Sequence, residues 1–330
     1  MKPVLTIVVP VYNTEQYLEK CLDSLLIPQL DKLEVIVVID GSTDNSLDLA
    51  NKYAARYPDT FKIIDKENGG HGSCCNVGIK LATGKYIRFL DSDDWLDTDT
   101  LSMLIDLLEN TTAHTVLTRS IKEYVYNGTT GEYGYPFDKC QCNQILDLGL
   151  IDFHLYADPL FTLAGCTFMT SKLRETKIEF SENTAFDDTI IYTKPFIAIE
   201  KILFIDSVLY HYFIGRPDQS VQNLSPAKYC QIFNEIFKAI TVFNSIPEER
   251  YTKCAIQLSE LENNMIRQLY YWNSKTQKEG RLERWKSINN YINHCCRTDK
   301  ATGFKLFLLK HISSPMAYNA YARLCKLIKR

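Results

Sequence analysis

Three carboxylates stand close together in the first third of the chain. Asp91, Asp93 and Asp94 directly follow the apolar run 86–90, which predicts a strand. Carboxylates this close repel one another unless a hard cation neutralises them, and Mg²⁺ or Mn²⁺ typically uses one or two protein carboxylates while substrate phosphates fill the other positions. The cluster therefore predicts a Mg²⁺ or Mn²⁺ site. The alternative is a solvated acidic turn that caps a helix expected to begin near Thr98.

The strands that position these acids alternate with amphipathic helical patterns. Strands are predicted at residues 5–10, 33–39, 61–65, 86–90 and 115–118. This rhythm indicates an α/β domain of βα units, with a mostly parallel, Rossmann-like sheet and flanking helices. Ligands of open α/β sheets bind beyond the carboxyl ends of the strands. Four polar loops follow these ends and should meet on one rim: residues 12–13, 40–44, 68–72 and 91–94.

The composition narrows the class of protein. At 330 residues, the chain is long enough for one large domain with an appendage or for two modest domains. A net charge of −3 offers no general attraction to nucleic acid. Apolar runs stay well short of the roughly eighteen residues of a membrane span, and no signal-peptide pattern precedes the first strand, so we expect a cytoplasmic protein. The eleven cysteines lack zinc-site spacing and are expected to be reduced.

Two common nucleotide-binding patterns are absent. No GxGxxG turn follows the first strand and no GxxxxGK[ST] occurs, so a dinucleotide-binding oxidoreductase and a P-loop protein both lose their main support. Asn68-Gly69-Gly70 is a strong turn signal. It either merely connects the third strand to a helix expected over residues 75–82, or it serves the ligand site on the rim.

Six motifs resemble, in order and spacing, the donor half of family 2 glycosyltransferases with the GT-A fold. They lie at residues 9–13, 40–44, 68–70, 76–78, 82–87 and 89–95. The resemblance is strong over residues 3–108, moderate over 165–221, and fades beyond. It implies inverting transfer of a sugar, a hexosyl or N-acetylhexosaminyl group, from a nucleotide-sugar to an acceptor hydroxyl. The donor it implies is most often a UDP-sugar.

The resemblance also assigns donor-binding residues. Pro10, Tyr12 and Asp40 would hold the nucleobase, with the Asp40 carboxylate accepting a hydrogen bond from the uracil imide. Asp91 and Asp93 match the family's DXD pair, placed at the ribose and the metal. The other residues implied in donor binding are Asn13, Asn68, Gly70, His71, Ser92 and Arg216, and the further implied metal ligands are Asp94 and His211.

One departure from the family concerns the charge that meets the diphosphate. Many relatives have Ala-Arg-Asn where this chain has Cys74-Cys75-Asn76. His71, Arg88 and Arg216 are candidate replacements for that arginine. For His71, the alternative role is a hydrogen bond that stabilises the glycine loop.

A second segment resembles the family's loop that closes over the diphosphate. It runs from Tyr210 to Ser220 and would place Arg216 on phosphate and His211 on the metal or the acceptor. The Tyr-His-Tyr alternation at its start also fits an ordinary half-buried strand.

Inverting transfer needs a base for the acceptor hydroxyl. Asp187 and Asp188 open an apolar helical pattern and resemble the family's Glu-Asp motif, which implies that Asp188 is the catalytic base. The alternative is a carboxylate that only caps the helix through its dipole.

We expect three regions: residues 1–118 as the donor half, 119–215 as the acceptor-binding and catalytic half of the same domain, and 216–330 as a helical C-terminal region. Segment 316–330 has apolar and basic faces typical of an interfacial helix on anionic lipid, although a helix packed on its own domain fits nearly as well.

By analogy, we expect a lipid-linked glycan acceptor of surface polysaccharide synthesis at the cytosolic face of the membrane. A soluble transferase acting on a protein or small glycoside, and a catalytically silent sugar-nucleotide or cation-binding module, are the alternatives. The sugar, the linkage and the oligomeric state stay open.

Overall fold

The computed structural model describes residues 2–137, 140–151, 159–216 and 224–296. They divide into two compact units, one comprising the described residues up to 216 and the other residues 224–296. No disulfide joins the cysteines of this described part.

The first unit is an α/β domain built on one sheet. Its strands are β1 (Leu5–Val11), β2 (Leu33–Asp40), β3 (Phe61–Lys66), β4 (Tyr86–Phe89), β5 (Trp95–Leu96), β6 (Thr115–Tyr124), β7 (Thr129–Tyr133), β8 (Ile145–Asp147), β9 (Cys166–Met169) and β10 (Lys201–Ile214). Its α-helices are α1 (Glu15–Asp23), α2 (Ser46–Arg56), α3 (His71–Leu81), α4 (Thr98–Asn110) and α5 (Thr170–Glu175). Short 3₁₀ helices lie at Leu30–Lys32, Leu148–Leu150, Asp187–Tyr192 and Lys194–Ile197.

The second unit is helical, as the sequence predicts. It contains α6 (Pro226–Thr241), the 3₁₀ helix Val242–Ser245, α7 (Glu248–Lys253), α8 (Ala255–Lys275) and α9 (Arg281–His294). The buried hydroxyl of Tyr291 in α9 lies 2.5 Å from Glu262 Oε1 of α8, to which it donates, and 3.1 Å from the Ile240 carbonyl of α6, so these three helices meet at this residue. The basic segment 316–330 lies outside the described residues.

The sheet is parallel on one side and mixed on the other. β3, β2, β1 and β4 lie side by side in parallel register, as expected. β9 then enters antiparallel between β4 and β6, and β10 runs parallel to β6. β7 follows β6 after only four residues, and so short a connection permits only antiparallel pairing. The sheet as a whole is therefore mixed, where a mostly parallel one was predicted.

The core explains why the first strands are so apolar. Every residue of β1 and β2 is buried, because helices cover both faces of a parallel sheet. Leu18 and Leu22 of α1 and Leu101 and Leu104 of α4 belong to one apolar cluster with these strands. All five predicted strands are present, and the carboxyl ends of β1 to β4 form the rim.

Three local predictions need correction. α3 begins at His71 and not near residue 75, so the glycine loop is short and runs directly into a helix. β10 extends to Ile214, because its residues 210–214 pair with β6, so this part of the expected closing loop is strand. The helix after Phe186 is only a short 3₁₀ turn, since Pro195 lacks the N–H needed to continue it.

We predict that Glu34, at the edge opposite the rim, is a main contributor to stability. Its buried carboxylate accepts hydrogen bonds from Lys62 Nζ and Thr6 Oγ1, both at 2.6 Å, and from Thr83 N at 2.8 Å. Burial opposes its ionisation, but Lys62 and the hydroxyl and amide donors hold its pKa below the ordinary value. Glu34→Ala should lower the free energy of unfolding by about 3 kcal/mol, measured by urea denaturation.

The control is Glu109→Ala, which removes the surface partner of Lys32 and should cost about 0.5 kcal/mol. Because the pKa of Glu34 is depressed on folding, its contribution is present above the unfolded pKa and should disappear as the pH falls below about 4. Equal effects of the two variants at pH 7 would contradict the assignment.

Candidate active site

The glycine loop is organised by Asp40, the last residue of β2. Its buried carboxylate accepts hydrogen bonds from Lys66 Nζ at 2.6 Å, Gly69 N at 2.9 Å and Gly70 N at 2.8 Å. Asn68 Nδ2 donates to the Asp40 carbonyl at 2.8 Å. Asp40 therefore shapes the loop from within, and its direct contact with a nucleobase stays a prediction.

Two glycines allow this loop to approach the segment before Asp187. Gly70 has a φ of +83°, which side chains rarely adopt. A Cβ on Gly72 would lie 2.1 Å from the Ser181 carbonyl and 2.9 Å from Asp187 Oδ2. The loop is thus more than a connection, because it presses the start of α3 against the acidic pair.

The other residues predicted to bind the donor differ in their access to the rim. Tyr12 is 53% exposed beyond β1, and Asn13 and Asn68 are also exposed. Pro10 is buried within β1, and the buried Ser92 accepts a hydrogen bond from Thr14 Oγ1 at 2.9 Å. Tyr12, Asn13 and Asn68 therefore present side chains that a ligand can reach.

Asp94 joins the acid cluster to β10. Its buried carboxylate accepts hydrogen bonds from Tyr210 Oη at 2.5 Å and from Phe213 N at 2.8 Å. Burial, together with the charges of Asp91 and Asp93, raises its pKa well above the ordinary value. Both Asp94 oxygens face protein donors, so the geometry favours Asp91 and Asp93 as metal ligands. Asp97, outside the cluster, caps α4 by accepting from Thr100 N at 2.8 Å.

Asp91 is accessible and Asp93 is mostly buried, and both face cationic side chains. The Asp91 side chain is 47% exposed, and Arg216 Nη1 lies 3.4 Å from Asp93 Oδ2. Burial and the neighbouring Asp91 raise the pKa of Asp93, while Arg216 partly opposes this. Arg216 Nε is buried without a hydrogen-bond partner among the described residues. Two carboxylates for a divalent cation and a guanidinium with spare donors for phosphate fit a metal-bound diphosphate.

The described residues contain no group of three or more His, Cys, Asp or Glu side chains arranged to hold a metal by themselves.

His211 belongs to a different cluster. Its Nδ1 lies 2.8 Å from Glu123 Oε1, and its ring stacks on Trp95 with centroids 5.2 Å apart. Neighbouring strand residues point to opposite faces of a sheet, so His211 points away from the face on which Tyr210 meets Asp94. The half-buried strand fits this region, and a His211–metal contact is not supported by the geometry.

Arg88 is also unsuited to replace the family's arginine. It is fully buried in β4, where it donates to Thr167 Oγ1 at 2.9 Å and to the Ala164 carbonyl. Burial lowers its pKa to about 10. Arg88 therefore holds β9 to β4 inside the domain.

His71, the first residue of α3, bridges the two acidic motifs. Its Nδ1 lies 2.9 Å from Asp187 Oδ2, its Nε2 lies 3.3 Å from Asp91 Oδ1, and Cys75 Sγ is 3.6 Å from Nε2. Only a protonated imidazole donates from both nitrogens. Burial opposes the charge, but the surrounding Cys75, Asp187 and Asp91 raise the pKa of His71 well above its ordinary value. His71 thus supplies positive charge beside Cys75 and between the two acidic motifs.

Asp188 is the rim carboxylate with the fewest partners to stabilise its negative charge. It follows Asp187 and the left-handed Phe186, whose φ is +65°. Within the described part of the chain, its carboxylate makes no hydrogen bond or ion pair with another side chain. Burial, followed by the charge of Asp187, raises its pKa to about 6, with His71 acting in the opposite direction. A general base works best with a pKa near the working pH, so Asp188 is suited to accept a proton at neutral pH.

The structure therefore brings Asp91, Asp93, Arg216, His71 and the acidic pair to one rim. Sequence reasoning did not anticipate that Tyr210 binds Asp94 or that His71 meets Asp187. Partners that are 116 residues apart leave no local pattern in the sequence. The signal in the sequence near Asp187 was the pair of adjacent acids at residues 187 and 188.

Comparisons with known proteins match this chain to glycosyltransferases. A model of glycosyl transferase family 2 matches residues 6–169. The chain is 31% identical over 243 residues to the poly(ribitol-phosphate) beta-glucosyltransferase of Bacillus spizizenii, covering 72% of this chain and 36% of that protein. It is 29% identical over 218 residues to glycosyltransferase GlyG of Streptococcus pneumoniae, covering 64% and 71% respectively. The chain spans about a third or less of other curated relatives, with shares of 28% and 31%.

Solved structures show the same fold. S. aureus TarS 1–349 in complex with UDP-GlcNAc has a TM-score of 0.57 at 22% identity, covering 88% of this chain and 89% of that one. The mannosyltransferase PcManGT from Pyrobaculum calidifontis in complex with GDP-Man and Mn²⁺ has a TM-score of 0.54 at 18% identity, covering 98% and 81%. These likenesses confirm the GT-A type of α/β fold.

We predict that the hydroxyl of Tyr210 fixes the acid cluster. Tyr210→Phe removes a donor from the buried Asp94 carboxylate and should lower the free energy of unfolding by about 2 kcal/mol. Tyr212→Phe is the matched control, because the Tyr212 hydroxyl has no hydrogen bond within the described residues. Its effect should stay within about 0.5 kcal/mol. Equal losses in urea denaturation would show that the bond to Asp94 is unimportant.

Proposed function

We propose that this chain, which belongs to glycosyl transferase family 2 through its residues 6–169, transfers a sugar from a nucleotide-sugar to an acceptor hydroxyl with inversion. The observation that carries the proposal is Asp188, a base-like carboxylate with a pKa of about 6, on the rim that also carries Asp91, Asp93 and Arg216. A catalytically silent binding module would need no such base. The first test is release of nucleoside diphosphate with a panel of UDP- and GDP-sugars.

The donor side is proposed to hold a UDP-sugar. The exposed ring of Tyr12 would contact the nucleobase, beside the loop that Asp40 organises. Asp91 and Asp93 would hold Mg²⁺ or Mn²⁺, and Arg216 would donate to a phosphate oxygen. When bound, the cation neutralises the diphosphate and stabilises the charge that develops on the departing nucleotide. The UDP-GlcNAc in TarS and the Mn²⁺ in PcManGT support this assignment.

On the acceptor side, Asp188 would accept the proton of the attacking hydroxyl. Its raised pKa has two physical causes, burial and the adjacent charge of Asp187, and each makes the carboxylate more basic. Attack from the face opposite the nucleotide, in a single displacement, gives inversion. The positive charge of His71 limits the increase in the pKa of Asp188, so Asp188 is still largely ionised at pH 7.

The acceptor is proposed to be a glycan of surface polysaccharide synthesis, presented on a lipid at the cytosolic face of the membrane. The likeness to a poly(ribitol-phosphate) beta-glucosyltransferase supports a polymer as the class of acceptor. No helix in the described part of the chain is long and apolar enough to cross a membrane. The proposed contact with anionic lipid is peripheral and rests on the basic and apolar sequence pattern of segment 316–330, which lies outside the described residues.

We predict that donor binding requires a divalent cation. Calorimetry with UDP should show binding with Mg²⁺ or Mn²⁺ and little with EDTA. Asp93→Asn should weaken binding by about tenfold or more, because it removes a charged ligand of the cation. Asp99→Asn makes the same charge change on the exposed start of α4 and should have no effect. Equal affinity with EDTA, or in Asp93→Asn, would contradict the metal assignment.

We predict that Asp188 acts in chemistry and not in donor binding. Asp188→Asn preserves the shape but removes the base, so transfer should fall by about 10²- to 10⁴-fold while the affinity for UDP is unchanged. In the wild-type protein, transfer should decline as the pH falls through about 6, because protonated Asp188 cannot accept a proton. Near-normal transfer by Asp188→Asn, or a rate that stays constant down to pH 5, would show that the base lies elsewhere.

A further inference from the structure

We propose that His71 is a positioning residue that couples the donor-side Asp91 to the acceptor-side Asp187 and thereby holds Asp188 in its productive place. This inference rests on the proposed glycosyl transfer, because it concerns the same site. It goes beyond that proposal by giving His71 a role in chemistry that is separate from donor binding.

The imidazole of His71 contacts both acidic motifs, Asp187 through Nδ1 and Asp91 through Nε2. The distances are 2.9 Å from Nδ1 to Asp187 and 3.3 Å from Nε2 to Asp91. The Asp187 side chain is only 5% exposed, so water cannot readily replace the imidazole as its partner. Asp91 is more exposed and lies where the donor is proposed to bind. His71 therefore stands between the donor and the residue next to the base.

The segment before Asp188 depends on such contacts. Asn76 of α3 exchanges two hydrogen bonds with the Phe180 backbone, at 3.0 and 2.9 Å, and Asn183 N donates to the Gly69 carbonyl at 2.7 Å. His71 makes the next attachment, one residue before Asp188. The start of α3 thus clamps the segment over residues 180–187.

Backbone strain makes the attachment at Asp187 important. Phe186 has a φ of +65°, an unfavourable conformation for a bulky residue that persists only when its surroundings enforce it. Because Gly72 has no side chain, the start of α3 can approach Asp187 closely enough for His71 to bind it. That contact helps to hold the strained backbone at Phe186. Without the imidazole, Asp187 loses its ion pair and the peptide that carries Asp188 can relax.

The expected consequence is kinetic. Misplacement of a catalytic group by about 1 Å costs about 10²-fold in rate. His71→Ala should therefore lower kcat by about 10²-fold while the Kd for UDP with Mg²⁺ changes less than about fivefold. The matched control is Cys75→Ala, which alters the same helix turn beside the imidazole and should keep kcat within about threefold of wild type.

Two further measurements separate positioning from a general structural defect. Because His71 is proposed to act through Asp187, the double variant His71→Ala/Asp187→Asn should be no more than about threefold slower than the slower single variant. The cavity left by His71→Ala opens to solvent, so added imidazole should restore part of kcat in that variant and none in Asp187→Asn.

Several results would overturn the inference. They are wild-type kcat in His71→Ala, multiplying effects in the double variant, failure of imidazole to rescue, or a loss of UDP affinity as large as the loss of kcat, which would make His71 a donor ligand instead. If His71→Ala does not fold, His71→Asn provides the same comparison of kcat with Kd. Failure of the proposed function is distinguishable, since the wild-type protein would then transfer no sugar from any donor.

Discussion

The structure depends on neutralising the negative charge at the carboxyl edge of the sheet, where several carboxylates need cationic or hydrogen-bonding partners. Six aspartates converge there: Asp40, Asp91, Asp93, Asp94, Asp187 and Asp188. Burying a carboxylate is expensive unless it is paired and hydrogen-bonded. The aspartates differ in the partners that stabilise their charge, and these differences indicate which of them shape the rim and which can bind a ligand or a proton.

Two of the acids are fully engaged by the protein. Asp40 is paired with Lys66 and loop amides, and Asp94 with Tyr210 and a strand amide. They shape the rim but have little left to offer a ligand. Asp91 and Asp93 lie farther from their cationic partners, at 3.3 and 3.4 Å, and a divalent cation can supply the positive charge that is missing.

The acidic pair shows the same principle at the acceptor side. Asp187 has an imidazole partner, whereas Asp188 has only the more distant influence of that charge. Asp188 is therefore more basic than an ordinary aspartate. A carboxylate without a cationic partner would destabilise most sites, but the raised pKa that results is the property that a general base requires.

The sequence predicts the features that local patterns encode. The strands of the donor half, the acid cluster after β4 and the helical C-terminal region follow from apolar periodicity and turn residues. The mixed sheet and the full length of β10 could not be predicted, because they depend on pairing between strands that are distant in the sequence. The two bridges made by Tyr210 and His71 join residues 116 positions apart and leave no local pattern either. The roles of individual site residues stay predictions that chemistry must test.

The central claim is that Asp188 is left ionisable near neutral pH by its surroundings. Its most direct test is a carbon-13 NMR titration of the aspartate carboxyl groups in the wild-type protein and in Asp188→Asn. We expect one carboxyl group that titrates near pH 6 in the wild-type protein and whose signal is missing from the variant. If that carboxyl titrates near its ordinary value of about 4, or if the signal near pH 6 persists in Asp188→Asn, the account is wrong.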